Sequence, residues 1–272
     1  MSRSKDSPYH HGDLKRTLVD AALRILESHG PAELTFRRLA KDVHVSHAAP
    51  LAHFPDRLSL DAAIASRGFR QLDSTLAAIG GVAPGPVAPA APALQAPVPA
   101  APVIPFQRAI PRPRLLSFAA DRPGSVPMAA ASFREPSPEP SRLAARLVAL
   151  ALAYLGFALE RPGLYRAMVD PELARRLAGL MEGDETSDAE FLELAQGKDE
   201  VFQRFVALVQ AGQRGGEFRA DLPAEQIARL FLGLAEGLAQ QYIEEKPGAR
   251  GERLKEAKQL FELQLRAVVL SG

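Results

Sequence analysis

The sequence predicts an all-α chain, with an N-terminal three-helix helix-turn-helix unit followed by a C-terminal helical bundle. Three observations carry that expectation. Apolar residues recur at helical spacing over residues 9–80 and again over 141–272. No run alternates apolar and polar side chains in the way a half-buried strand does. Between Leu34 and Leu60, two short capped segments flank the tight turn Asp42-Val43-His44-Val45.

In the first element Leu14, Leu18, Ala21 and Ile25 share one face, and Gly30-Pro31 ends it. A second, short helix takes Thr35 as its N-cap and turns Phe36, Leu39, Ala40 and Val43 inward. A third is expected from Ser46, another good N-cap, to Phe54-Pro55. The fourth starts at Asp56 and aligns Leu58, Ala62, Ala65, Phe69, Leu72, Leu76 and Ile79, running to Gly80-Gly81.

Residues 81–140 hold 15 of the 23 prolines. Proline removes a donor and clashes with the preceding turn, so this stretch reads as a Pro/Ala-rich, partly polyproline-like, disordered insert. Helical patterning returns with Ser141 as cap and a stripe of Leu143, Leu147, Leu150, Tyr154 and Phe157, broken by Pro162-Gly163. Short helices follow around 164–169 and 171–181, then an acidic loop and three longer helices at about 187–213, 223–244 and 251–270. The expected organisation is a helix-turn-helix domain (9–55), a connecting helix (56–80), the insert (81–140) and a C-terminal domain (141–272).

Composition narrows the classes. Hydrophobic residues at 47% and charged residues at 24% are ordinary for a globular chain. There is no cysteine, which excludes disulfides, thiolate metal sites and thiol nucleophiles. No segment reaches 18 consecutive apolar residues, and the polar N-terminus lacks a signal-peptide core, so a cytoplasmic protein with no membrane partner is expected. Residues 1–80 carry 11 Lys/Arg against 9 Asp/Glu, and residues 141–272 carry 17 against 20. All six histidines lie in the first 53 residues.

The last helix has two apolar stripes. Leu254, Ala257, Phe261, Leu265 and Val268 form one; Leu260, Leu263, Ala267 and Leu270 form the other. A helix packed only on its own bundle needs one, so the second suggests a homodimer made through the last two helices. The segment from Ser46 to Phe54 is patterned differently. His47, Ala48, Ala52 and His53 are small or polar, while Val45 and Phe54 anchor its ends. Small side chains let a helix approach base edges closely, and nine residues would span roughly 13 Å, close to the width of a major groove.

These residues carry a family resemblance. Tyr9–Leu14 (YHHGDL) and Val45–Pro50 (VSHAAP), followed by His53-Phe54-Pro55-Asp56-Arg57, resemble the TetR/AcrR family of bacterial regulators over residues 9–72. The resemblance implies a DNA-contacting set of Thr35, Arg37, Ser46, His47, Ala48, Leu51, Ala52, His53 and Arg57, with Thr35 and Arg57 on phosphates. The chain departs from the family in three places. His44 stands where a glycine is usual, Leu51 where a tyrosine is usual and Ala52 where an arginine is frequent. Losing two polar contacts implies weaker, less salt-sensitive binding. Farther on, ERPGLYRAMV (160–169) and AGQRGGEFRAD (211–221) are similar to segments of the family's C-terminal domain, whereas its Trp-x-x-x-His-Gly signature is replaced by Leu232, Glu236 and Gly237.

The resemblance implies a homodimeric repressor that leaves a double-stranded DNA operator when a small apolar effector binds. Tyr154, Phe157, Tyr165, Met168, Phe202, Phe205 and Phe231 are candidates to line its pocket. No cofactor or metal is expected, since His44-x-x-His47 and His10-His11 lack an associated carboxylate cluster. No hydrolase or nucleotide-binding motif is present, so an enzyme is not expected. The alternative within DNA binding is a ligand-independent architectural protein.

Overall fold

The computed structural model describes residues 11–80, 142–181, 189–244 and 250–269. The insert at 81–140, the Ser141 cap, most of the acidic loop and Leu270 lie outside the described residues. Ten α-helices are described: α1 (His11–His29), α2 (Phe36–Asp42), α3 (Ala49–His53), α4 (Arg57–Gly80), α5 (Arg142–Glu160), α6 (Pro162–Met168), α7 (Pro171–Met181), α8 (Ala189–Arg214), α9 (Ala224–Glu244) and α10 (Arg250–Leu265). A 3₁₀ turn at Pro31–Glu33 links the first two. The fold is all-α, as the sequence predicts.

Local chemistry sets the helix ends. α1 stops because Gly30 takes φ +81, a conformation that glycine adopts without a Cβ clash, and its N–H closes on the Leu26 carbonyl at 3.0 Å. Asp56 caps α4 by accepting from the Ser59 N–H at 2.7 Å and the Ser59 hydroxyl at 2.8 Å. Asp170 caps α7 through the Glu172 N–H at 2.7 Å.

The core is continuous from the first helices into the bundle. Leu18, Leu39, Phe54, Leu60 and Ile64 are sealed in the N-terminal part, and Leu72, Leu147, Tyr154, Phe205 and Phe231 in the rest. Each such side chain contributes about 1.5–3 kcal/mol by leaving water. α5 is the one described helix apolar and long enough to cross a membrane by composition, but it is an interior helix of the bundle, packed on α4, α8, α9 and α10.

Two features depart from the expected pattern. α10 ends at Leu265 rather than 270, because the chain tightens into i→i+3 turns and Val269 then pairs with Phe218 in an isolated antiparallel bridge. The Arg219 N–H donates to the Val268 carbonyl at 2.9 Å, and the fully buried Phe218 ring lies over Gly212 of α8. The AGQRGGEFRAD segment has a structural task here: the Gln213 amide donates to the carbonyls of Arg219 and Leu222 at 2.9 and 2.8 Å, pinning the α8–α9 loop.

α6 is set flush against α1. A Cβ on Gly163 would lie 2.9 Å from the Leu26 carbonyl oxygen, and the Leu164 N–H donates to the Glu27 carboxylate at 3.1 Å. Because the obstructing atom is backbone, it cannot swing aside. Gly163→Ala should lower stability by about 1–3 kcal/mol, read as an earlier urea midpoint with an unchanged slope.

Candidate nucleic-acid interface

α2 is oriented by its cap. The Thr35 hydroxyl accepts the Arg38 N–H at 3.1 Å and keeps its own hydrogen for an external acceptor. Arg37, one turn in, is exposed and makes no hydrogen bond or ion pair with a described residue. Arg38 is instead engaged by Glu33.

The turn after α2 is held by the His44 N–H on the Lys41 carbonyl at 3.2 Å and the Val45 N–H on the Ala40 carbonyl at 3.0 Å. His44 sits at φ 58, the left-handed region that costs a residue with a Cβ roughly 1–2 kcal/mol. It is the only described non-glycine residue there.

α3 corrects the expected nine-residue helix. Only Ala49–His53 is α-helical, and Ser46 is not its cap. The Ala49 N–H closes on the Ser46 carbonyl at 3.0 Å in a turn, Ala48 occupies the cap position with no side-chain bond, and Pro50 fixes the first turn without needing a donor. Five residues rise about 7 Å, so the turn at 46–48 forms the leading part of the element.

The element is anchored from beneath. Phe54 is fully buried, Pro50 is buried, and the Lys15 ammonium lies 5.7 Å from the Phe54 ring centroid. Thr35, Arg37, Ser46, His47, Ala48, Leu51, Ala52 and Arg57 are all exposed, while His53 is half-buried. Leu51 is 51% exposed, one of few large apolar side chains left in water. This is a surface of methyl groups, hydroxyls and imidazoles that nothing within the described protomer covers.

Arg57 does not stand free. Its Nε donates to both carboxylate oxygens of Asp61 at 2.8 Å, and Nη1 donates to the Leu34 carbonyl just before the Thr35 cap. Burial raises the Asp61 carboxyl above its usual range, against the lowering by Arg57. Arg57 therefore ties the start of α4 to the entry of α2. Sequence reasoning missed this, because the Leu34 carbonyl is 23 residues away and carries no sequence signal.

The predicted effector-pocket residues separate. Tyr154 and Tyr165 pack edge to face, with centroids 6.1 Å apart, around Glu236. The Tyr154 hydroxyl lies 3.4 Å from the Glu236 carboxylate and the Tyr165 hydroxyl 3.5 Å from its carbonyl. Burial pushes Glu236 and both tyrosines upward, with Lys198 opposing the rise at Glu236. Phe231 stacks on Phe261 of α10 at 6.4 Å, Met168 fills the space over Gly68 of α4, Phe202 lies under Arg229 and Phe157 under Arg161. Phe205 is fully buried. Glu236 was missed as a member of this group because its burial depends on two other helices.

Comparison with known proteins bears on the C-terminal half first. Residues 147–268 match the tetracyclin repressor-like C-terminal domain. The whole described fold has solved counterparts. A protein of unknown function from Rhodococcus sp. RHA1 is 22% identical, with 97% of this chain and 100% of that one covered and a TM-score of 0.56. A TetR-family transcriptional regulator from Pectobacterium atrosepticum is 16% identical, with 97% and 98% covered and a TM-score of 0.56. The ketosteroid transcriptional regulator of Mycobacterium tuberculosis is 13% identical, with 98% of each chain covered and a TM-score of 0.51. No curated protein matches the chain. At these identities the likeness establishes the fold, an N-terminal helix-turn-helix joined to a tetracyclin repressor-like bundle.

The strain at His44 makes a prediction. His44→Gly should raise stability by about 0.5–1 kcal/mol, the relief of the left-handed cost less glycine's extra entropy in the unfolded chain. Thermal melts at fixed pH would record it as a higher midpoint.

Proposed function

We propose that the chain is a sequence-specific, DNA-binding transcription regulator, a homodimeric repressor released from its operator by a small apolar ligand. The observation that carries this reading is the uncovered face of Thr35, Arg37, Ser46, His47, Ala48, Leu51 and Ala52 on a rigidly anchored helix-turn-helix. Leu51 and the alanines offer methyl groups to thymine methyls, Ser46 and His47 offer hydrogen bonds, and Thr35 and Arg37 face phosphates. Such a regulator acts in the cytoplasm by binding and requires no catalysis.

Dimerisation is supported by the outer faces of the last two helices. On α9, Leu230 is 53% exposed and is followed at helical spacing by Gly233, Leu234 and Gly237; on α10, Leu263 is 62% exposed next to the half-buried Leu260. The first apolar stripe of α10, through Ala257, Phe261 and Leu265, is consumed within the protomer. A Cβ on Gly233 or Gly237 would meet nothing, so a partner helix can approach closely there. A twofold pairing of these faces makes a four-helix interface and places two recognition elements on one duplex.

Effector release follows as a population shift. The Tyr154–Tyr165–Glu236 group and the α6–α1 contact both run through the short helix α6, by way of Tyr165 and Leu164. A ligand that repacks the first favours bundle arrangements that move the second, and with it the N-terminal helices.

Three measurements test the reading. In anisotropy competition, a duplex from the promoter of the protein's own gene should outcompete random duplex by about 10³-fold or more; equal affinity would favour the architectural alternative. Arg57→Ala should weaken both duplexes alike, as loss of a phosphate contact does, and unchanged affinity would confine Arg57 to its Asp61 and Leu34 contacts. Separately, Leu230→Glu with Leu263→Glu should sediment as a monomer and lose operator binding, whereas a persistent dimer would move the interface elsewhere.

A further inference from the structure

Between Glu33 and Asp61 the chain has four fixed cations, Arg37, Arg38, Lys41 and Arg57, and four carboxylates, Glu33, Asp42, Asp56 and Asp61. The stretch from Glu33 to Asp61, which contains the turn and the recognition element, therefore has no net fixed charge. The structure also shows how the fixed cations are used. Arg38 pairs with Glu33 and Arg57 with Asp61, leaving Arg37 and Lys41 as the cations of this segment without a partner among the described residues.

Among the described residues, charged side chains on the neighbouring elements are largely engaged. On α1, Lys15 pairs with Glu190, Arg24 with Asp42 at 3.3 Å and Asp20 with Arg67 at 3.8 Å, while Glu27 accepts from α6. At the start of α4, Asp56 is occupied by Ser59. What remains adjustable is imidazole. His44 and His47 are exposed and His53 is half-buried, all within the turn and the recognition element. Imidazole is the side chain whose charge changes between about pH 5 and 8. Three imidazolium groups would turn a neutral segment distinctly positive, within a Debye length of the phosphates they approach.

We propose that His44, His47 and His53, in their protonated form, add to the phosphate-binding charge that Arg37 and Lys41 give this interface, so that duplex binding takes up protons and tightens as pH falls. This rests on the DNA-binding reading above and adds its regulation. The sign follows from linkage: a phosphate stabilises imidazolium, the bound state holds more protons than the free state, and acid favours the complex. Because phosphates carry no sequence, the effect belongs equally to operator and random duplex.

The test is fluorescence anisotropy with full-length protein on a labelled operator duplex and a labelled random duplex, at pH 7.8 and 6.0 and matched ionic strength. The expected result is at least tenfold tighter binding at pH 6.0 on both duplexes, with a salt slope steeper by roughly 0.9 per phosphate gained. His44→Asn/His47→Gln/His53→Gln should abolish both changes; asparagine tolerates the backbone at 44. If that variant loses helical circular dichroism, His47→Gln alone should reduce the pH ratio, and His47→Arg should bind at pH 7.8 more tightly than the parent. Affinities within twofold at the two pH values, or a pH ratio that survives the substitutions, overturn the proposal and leave the DNA-binding reading standing. No binding to either duplex at either pH overturns both.

Discussion

The structure depends on one helix serving two sides of a shared core. α4 packs on α1 near its start and on α5, α6 and α8 along the rest, so its buried face is wide: Leu60, Ala62, Ile64, Ala65, Phe69, Leu72 and Leu76 are all sealed. At one end Arg57 reaches the Leu34 carbonyl; farther along, Asp73 receives the Arg204 guanidinium in a two-pronged pair whose Nη2 contact is 2.6 Å. Both Asp73 and Arg204 are largely shielded, and hydrogen bonding to Asp73 raises the arginine's already high affinity for its proton. A shielded bidentate pair resists sliding, because loss of either partner leaves a poorly solvated charge. α4 is thus the element that joins α2 to the bundle at both ends of its length.

Much of this was legible in the sequence because helix periodicity is a short-range signal. The stripes of α4 and α5, the Thr35 cap and the Gly30 stop all depend on residues within one or two turns of each other. Two apolar stripes on α10 were legible too, and the structure uses them differently: Phe261 and Leu265 close the protomer, while Leu263 is left in water. Where the expectation failed, a competing local geometry won. Ser46 has the chemistry of a cap, but Pro50 starts α3 from a tight turn and leaves that chemistry unused for capping. α10 ends early where the chain tightens into i→i+3 turns and the Val269 backbone pairs with Phe218, a contact 51 residues apart that helix periodicity does not record.

The site was half legible. Patterning marks the exposed residues of the interface, since a stretch of histidine, serine and alanine between two apolar anchors does not build a core. It does not mark the partners. That Arg57 reaches the Leu34 carbonyl, or that Glu236 lies against Tyr154 and Tyr165, follows from groups 23 to 82 residues apart meeting in space. Spacing carries no record of such meetings. The seven proposed pocket residues show the same limit: all are apolar or aromatic at inward positions, and only Tyr154 and Tyr165 gather at a shared polar group.

His44 is where local stability and interface chemistry pull in opposite directions. At φ 58 a glycine would remove the steric conflict of the Cβ, and among the described residues no hydrogen bond or ion pair uses the exposed imidazole, the turn being closed by backbone N–H groups. Strain of this kind persists only where surrounding structure enforces it, and here α2 and the Val45 contact fix the turn whatever side chain stands at 44. The fold thus tolerates histidine without requiring it. In a stretch whose fixed charges cancel from Glu33 to Asp61, the identity of the side chain at 44 is therefore left to be set by something other than folding.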